Sequence, residues 1–281
     1  MDGAMSGMKT WFVTGASSGF GAALVREILS RGDNVVAAAR KPEAIASGDA
    51  ARLLAVTLDM TRPADIDAAV AAAIARFGAI DVLVNNAGYG LLSTIEEADA
   101  EAVRRQFETN VLGPAALMRA VLPGMRARRS GFVVNVSSTA GARGFAGSGY
   151  YSASKAALEA LTEALAAEAA ELGIRAMIVS PGPFRTDFFG RSLDLPASEI
   201  DDYAATVAQR RAYAAGDGRQ RGDPARGARI IVDTVLGADP PLRLVLGGQA
   251  HPTIVASLQA KIADLGWSET VAPLADFPEG E

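Results

Sequence analysis

The stretch GSGYYSASKAAL, residues 147–158, places Tyr151 four residues ahead of Lys155. The chain has only four lysines, Lys9, Lys41, Lys155 and Lys261, and arginine at every other Lys/Arg position. If this segment is helical, residues four apart share a face. Tyr151 then meets Lys155, while Tyr150 points elsewhere and serves packing or a pocket wall. A phenol with a pKa of ~10 is a sluggish proton donor or acceptor at neutral pH. A nearby ammonium favours phenolate, and a fall of about two to three units needs roughly 3–4 kcal/mol. One charge a few ångströms away in a half-dry cleft supplies that order of energy. Arginine would bring a broad, permanently protonated fork; lysine is compact and carries three donors. The pair reads as a proton-transfer centre.

A second cluster opens the chain. TGASSGFG, residues 14–21, follows an apolar run and precedes a helical one. Glycines there let the backbone turn tightly and approach a diphosphate, and the helix start offers free N–H groups and a favourable dipole. The same residues match Gly-x-Ser-x-Gly, a hydrolase nucleophile turn with Ser17 as nucleophile and His251 as a distant base. Position argues against that: only one strand can precede the turn, and His251 in GGQAHPT reads as a loop residue.

Both clusters need a scaffold that alternates strand and helix. Apolar or β-branched runs at 10–14, 34–39, 53–58, 80–85, 131–137, 174–180 and 242–247 read as strands, and most lack strict alternation, as expected for a sheet covered on both faces. Helical patterns fill 20–31, 63–76, 99–122 and 150–172. This order predicts an α/β fold, a doubly wound parallel sheet of the Rossmann type. Residues 1–265 are expected to form a single domain with a lid insertion near 184–222, rich in aromatics, and 266–281 a loose tail pinned by Trp267. The helices at 99–122 and 150–172 are small or apolar nearly all round, with charge on the second mainly at Glu159, Glu163, Glu168 and Glu171. One side would face the sheet and the other a second subunit, or else the C-terminal segment.

Composition narrows the chemistry. With 281 residues and 49% hydrophobic content the chain can bury a large core. It has 27 basic against 32 acidic residues, a net charge of −5, and so no electrostatic footprint for nucleic acid or an anionic membrane. It has no cysteine and one histidine, which leaves no disulfide and no Cys/His zinc site. No metal is expected. The start is not a secretory signal and no run is long enough to span a membrane, so a cytoplasmic protein is expected.

Taken together, TGASSGFG, NNAG at 85–88, YSASK at 151–155 and SPGPFRT at 180–186 resemble the short-chain dehydrogenases/reductases over about residues 9–250, with Phe20 where isoleucine is usual. The resemblance implies a nicotinamide coenzyme and assigns roles. Ser138 would hydrogen-bond the substrate oxygen beside Tyr151 and Lys155, with Ser137 facing the other way, and Asn110 would hold a water of the proton relay. Gly15, Ser17, Ser18, Gly19, Phe20 and Gly21 would cradle the diphosphate. Asp59, with Met60, would meet the adenine; Asn86, Ala87 and Gly88 would back the ribose, which Lys155 would also grip. Pro181, Gly182, Phe184 and Thr186 would flank the nicotinamide.

Where the family often carries an acid for NAD, this chain has Ala39, followed by Arg40 and Lys41. A guanidinium suits a 2′-phosphate, so NADP(H) is expected in preference to NAD(H), with Arg40 as the main contact. The implied reaction interconverts a carbonyl and a secondary alcohol, with Tyr151 as general acid/base. Leu92, Phe145, Phe184, Phe188 and Phe189 suggest a hydrophobic small-molecule substrate; Arg143 would equally suit an anion. A homodimer or homotetramer is expected. The alternative is a coenzyme-binding regulator that uses the same fold as a sensor without efficient turnover.

Overall fold

The computed structural model describes residues 7–45, 48–190, 192–216 and 218–277. Residues 1–6, residues 191 and 217 of the expected lid, and 278–281 of the expected tail lie outside them.

Every strand is short and rich in β-branched or apolar residues, and the central ones are buried along their whole length. They appear as β1 (Thr10–Thr14), β2 (Asn34–Ala39), β3 (Leu53–Thr57), β4 (Val82–Asn85), β5 (Gly90–Leu91), β6 (Gly131–Val136), β7 (Ile174–Pro181), β8 (Leu193–Asp194) and β9 (Arg243–Leu246). Seven form one sheet in the order β3-β2-β1-β4-β6-β7-β9, and every pair is parallel. The chain order reverses between β1 and β4, so the loops after these two strands diverge and open a crevice at their carboxyl ends.

Alternate residues of each strand feed two apolar layers. On one face Trp11, Val13, Val35 and Val134 pack against α1 (Gly19–Ser30) and α8 (Pro224–Leu236), through Leu24, Ile28, Ile231 and Val235. On the other, Phe12, Val36, Leu83 and Val133 meet α2 (Pro63–Phe77), α4 (Gly113–Arg128) and α6 (Gly149–Ala169), through Val70, Leu117, Val121 and Leu165. The sheet is covered on both faces and the fold is a Rossmann-type α/β fold.

The expected helix over 99–122 is two helices, α3 (Ala100–Phe107) and α4, joined by a π-helical turn at Glu108–Leu112 that carries Asn110. Pro114, in the first turn of α4, lacks an N–H and helps set this break. The short helix α5 (Thr139–Ala142) follows β6. Residues 184–222 contribute β8 and α7 (Ala204–Ala214). β8 pairs with β5, and Gly90 and Leu92 donate to the carbonyls of Ser192 and Asp194 at 2.9 and 2.8 Å.

Beyond α8 the chain adds α9 (Ala250–Leu265) and α10 (Ser268–Val271). His251, expected in a loop, stands exposed in the first turn of α9. Trp267 is 76% exposed. The outward face of α6, with Ala153, Ala156, Ala160 and Ala164, is exposed, so the described part of the C-terminal segment does not cover it. No helix among the described residues is long and apolar enough to cross a membrane.

Candidate active site

A cleft of about 880 Å³ runs across the carboxyl ends of the strands, from the β1–α1 turn to the first turn of α6. At the β1 end the backbone is packed so closely that side chains are excluded. A Cβ on Gly21 would stand 2.2 Å from the Gly15 carbonyl oxygen and 2.7 Å from Asn86 Nδ2. Gly15 and Gly19 take φ of +66° and +55°, a region that favours glycine. Thr14 Oγ1 accepts the N–H groups of Asn86 (3.0 Å) and Ala87 (2.9 Å), and Asn86 Nδ2 donates to the Thr14 carbonyl at 2.9 Å. These bonds tie the end of β1 to the end of β4. Ser18 caps α1 by position, but its side chain makes no cap hydrogen bond. The helix therefore opens onto the cleft without a side-chain cap, beside glycines that leave room for a bulky anion. This cradle fits the diphosphate of a dinucleotide.

Arg40, exposed after β2, lines the same end with Asp59 and Met60. The Asp59 carboxyl is held below its ordinary range, first by the Thr61 N–H and further by the Thr61 hydroxyl, Arg40 and Arg62, against its partial burial. Asp59 Oδ1 takes both Thr61 donors, at 2.9 and 2.8 Å. It closes a local turn and does not cap α2, whose N-cap is Arg62.

At the other end Ser138 caps α5 and accepts from the Ala140 N–H at 3.1 Å. Tyr151 enters from the first turn of α6 and is buried. Burial pushes its phenol above the ordinary range, and a hydrogen bond with the Ser138 side chain opposes this. The acidification expected from Lys155 is not present in the chain by itself. Lys155 Nζ lies 6.0 Å from the Tyr151 ring centroid and donates to the Val136 carbonyl at 2.8 Å. Its ammonium is itself lowered to about 8 by burial, with Glu159 opposing.

Asn110 stands one layer behind. It is fully buried, its Oδ1 accepts from the Tyr89 N–H at 3.1 Å, and its Nδ2 donates to the Tyr89 carbonyl (2.9 Å) and Ser154 Oγ (3.1 Å). The side chain thus clamps the 86–90 loop to α6 and does not line the cleft. Gly88 fits between: a Cβ there would meet Asn110 Oδ1 at 3.0 Å and Lys155 Nζ at 3.3 Å. Ser137, as its register implied, turns its hydroxyl away, to Glu159 Oε1 at 2.6 Å.

The start of the 184–222 segment packs on the glycine turn. The Phe184 ring packs on Phe20 with centroids 4.7 Å apart, and Thr186 Cβ stands 3.2 Å from the Cβ position of Gly19. Beyond Tyr151 the cleft is aromatic. Tyr151, Phe188, Phe189 and Tyr213 form a chain of ring contacts at 5.8, 5.8 and 5.0 Å, and Leu92 and Phe145 complete the wall. Arg143 is exposed over the Phe145 ring and lies outside the lining.

All the site residues expected from sequence line this cleft except Asn110 and Gly21, which support it from behind. Sequence reasoning passed over Tyr89, Arg105, Asp194 and Arg210, which also line it. Tyr89 alone carried a signal, as the residue directly after NNAG. His251 is absent from the lining, and Ser17 has no base beside it there. Among the described residues no cluster of His, Cys, Asp and Glu could hold a metal.

The family model for short chain dehydrogenase matches residues 9–194. An oxidoreductase of Botryotinia fuckeliana is 36% identical over 247 residues, covering 86% of this chain and 90% of its own. The 3-ketodihydrosphingosine reductase of Bacteroides thetaiotaomicron is 34% identical over 236 residues, covering 84% and 86%. A short-chain dehydrogenase of known structure from Streptomyces avermitilis superposes with a TM-score of 0.89 at 44% identity, over 96% of this chain and all of its own. Two Burkholderia structures were solved with coenzyme. The B. phymatum protein, with NAD, gives a TM-score of 0.77 at 25% identity, over 93% of this chain and 95% of its own. The B. cenocepacia protein, with NADP, gives 0.71 at 27%, over 94% and 99%.

Proposed function

The chain belongs to the short-chain dehydrogenase family and is an NAD(P)-dependent oxidoreductase, and from that premise we propose that it interconverts a carbonyl and a secondary alcohol of a hydrophobic substrate, prefers NADP(H), and uses Tyr151 as its general acid/base. The observation that carries this reading is the meeting of Ser138, Tyr151 and Lys155 at one end of a cleft whose other end is the glycine cradle.

In the reductive direction Tyr151 gives its proton to the carbonyl oxygen, and the Ser138 hydroxyl donates to the same oxygen as charge builds there. Burial favours the neutral phenol, the form that donates. Lys155 keeps a cation behind the phenol as the phenol loses its proton, and would also hold the coenzyme ribose. Asn110 fixes both walls through Tyr89 and Ser154. When bound, the nicotinamide supplies the hydride that the carbonyl carbon gains, or takes up the one the alcohol loses. Gly15, Ser17, Ser18, Gly19, Phe20 and Gly21 would hold the diphosphate, Arg40 the 2′-phosphate, Asp59 and Met60 the adenine, and Asn86, Ala87 and Gly88 the ribose. Pro181, Gly182, Phe184 and Thr186 would flank the nicotinamide. The aromatic wall from Phe188 to Tyr213 supports an apolar substrate. A cytoplasmic homo-oligomer, joined through the exposed alanine face of α6, completes the proposal.

A panel of apolar ketones followed at the NADPH absorbance band tests the reaction. Turnover is expected, and Tyr151→Phe should bind NADPH yet lose at least about 10²-fold in kcat. Tight NADPH binding with no oxidation across the panel would favour a sensor and overturn the enzymatic reading.

A further inference from the structure

Behind the catalytic pair sits a carboxylate with almost no access to solvent. Glu159 lies four residues past Lys155, so Tyr151, Lys155 and Glu159 descend one face of α6, and Glu159 is 7% exposed. Its Oε1 accepts from the Ser137 hydroxyl at 2.6 Å and the Ser180 hydroxyl at 3.4 Å; Oε2 faces Arg243 Nη1 at 2.7 Å. A Cβ on Gly141 would stand 2.2 Å from Oε1, so the surrounding backbone is shaped to this carboxylate. One side chain thereby joins the ends of β6, β7 and β9 to the helix that carries Tyr151. A charge this deep persists only when paired and hydrogen-bonded.

We propose that Glu159 is a positioning residue for the catalytic pair: its carboxylate keeps the Lys155 ammonium charged in the working pH range and anchors the Ser137–Ser138 end of β6. The proposal rests on the roles given above to Tyr151 and Lys155. The surroundings of Lys155 explain why this one charge matters. On its own helix it faces Tyr151 and Glu159. From β6 it meets the Val136 carbonyl and the neutral Ser137 and Ser138. The 86–90 loop brings Gly88, and the π turn brings the neutral Asn110. Around Glu159 itself, β7 supplies the neutral Ser180 and β9 supplies Arg243, which Glu163 holds from the other side. The 184–222 segment adds Tyr213, whose charge pushes the Tyr151 phenol further up. Among these groups Glu159 is the carboxylate whose charge acts on the ammonium, and Arg243 pairs with that carboxylate. Burial drives Lys155 toward the neutral amine, and Glu159 opposes it.

Two variants with opposite expected signs separate this role from packing. Glu159→Gln keeps the volume and removes the charge, so Lys155 should lose its proton at lower pH. Arg243→Gln removes the cation paired with Glu159 and should move the same titration to higher pH. In the coenzyme-free protein, the pH dependence of Lys155 acylation by a small aryl ester, read by peptide mass spectrometry, reports the titration directly; with four lysines the peptide is easily assigned. A displacement of about half a pH unit or more in each direction is expected. The alkaline limb of kcat/KM for ketone reduction should move the same way in each variant. Unmoved midpoints, or both moving together, would overturn the proposal. Should Glu159→Gln fail to fold, Arg243→Gln decides alone, by an upward shift or its lack. Absence of turnover in the wild type on every ketone would strike the reading of function, while the labelling experiment would still decide on Glu159.

Discussion

Lys155 Nζ donates to the Val136 carbonyl at 2.8 Å, at the strand end two residues before Ser138. The lysine is therefore a strut between α6 and β6 as well as a charge, and its burial has a signed consequence. Its folded-state pKa of about 8 lies below the ordinary 10.5. Between those values the unfolded chain binds a proton that the folded chain has released, so this residue adds stability to the coenzyme-free protein as pH rises from about 8 toward 10.5. Ketone reduction should run the other way and fall as pH passes 8. Chemical denaturation across pH 7–10 should show a stability gain in the wild type that is missing in Lys155→Met. Equal slopes in the two proteins would refute it.

Gly21 is set against backbone. Because its missing Cβ would stand 2.2 Å from the Gly15 carbonyl oxygen, Gly21→Ala must displace the β1–α1 turn. A loss of about 3 kcal/mol in folding stability is expected, from overpacking against atoms that cannot rotate away. NADPH binding, followed by nicotinamide fluorescence, should weaken along with it. A variant as stable as the parent that binds NADPH normally would show that the turn has slack.

Much of this could be read beforehand. The central strands of the main sheet announced themselves because they are buried along their whole length and so are continuous apolar runs, and TGASSGFG, NNAG and SPGPFRT sit at the strand ends that such runs define, while YSASK lies on α6. The π turn at Glu108–Leu112 could be read only in part: Pro114 marks the break, but the close approach of Gly113, where a Cβ would meet the Met60 carbonyl oxygen at 2.6 Å, belongs to the folded packing. α8 had a local signal that went unused, Asp223 before Pro224; the Asp223 side chain accepts from the Ala225 N–H at 2.8 Å. The raised phenol of Tyr151 comes first from burial, with Ser138 opposing and Tyr213 adding to it, and sequence spacing suggested only the lysine's opposing pull.

Arg40 is the residue on which coenzyme choice should turn. It is exposed at the cleft wall, with Ala39 rather than an acid ending β2. Hydrogen bonds to a charged group contribute about 1.5–3 kcal/mol, so Arg40→Ala should weaken NADPH binding roughly 10–100-fold and leave NADH nearly untouched. Calorimetric titration with each coenzyme measures this, and 2′-phosphoadenosine monophosphate isolates the phosphate. Equal losses for NADPH and NADH would remove Arg40 from the assignment.

Glu97 ties down the 198–200 stretch. Its Oε1 accepts from Ser198 Oγ and from the N–H groups of Glu199 and Ile200 at 2.8–3.0 Å, and Oε2 accepts from Thr94 Oγ1 at 2.7 Å. The Thr94 hydroxyl, then the Ile200 N–H and the Ser198 hydroxyl, hold this carboxyl down to about 2, from an ordinary 4.5. A depressed acid contributes stability that is whole above the unfolded pKa and is lost as pH falls through the folded one. The 193–203 segment should thus stay held down to about pH 4.5 and loosen progressively toward pH 2. Glu97→Ala should loosen it at neutral pH, and Glu97→Gln, which keeps one acceptor, should fall between. Hydrogen exchange of the Glu199 and Ile200 amides reads the tie without a substrate. Protection that is unchanged in Glu97→Ala would mean that the β5–β8 pairing alone holds the segment in place. Faster exchange there, with α8 unaffected, would locate the tie in this one carboxylate.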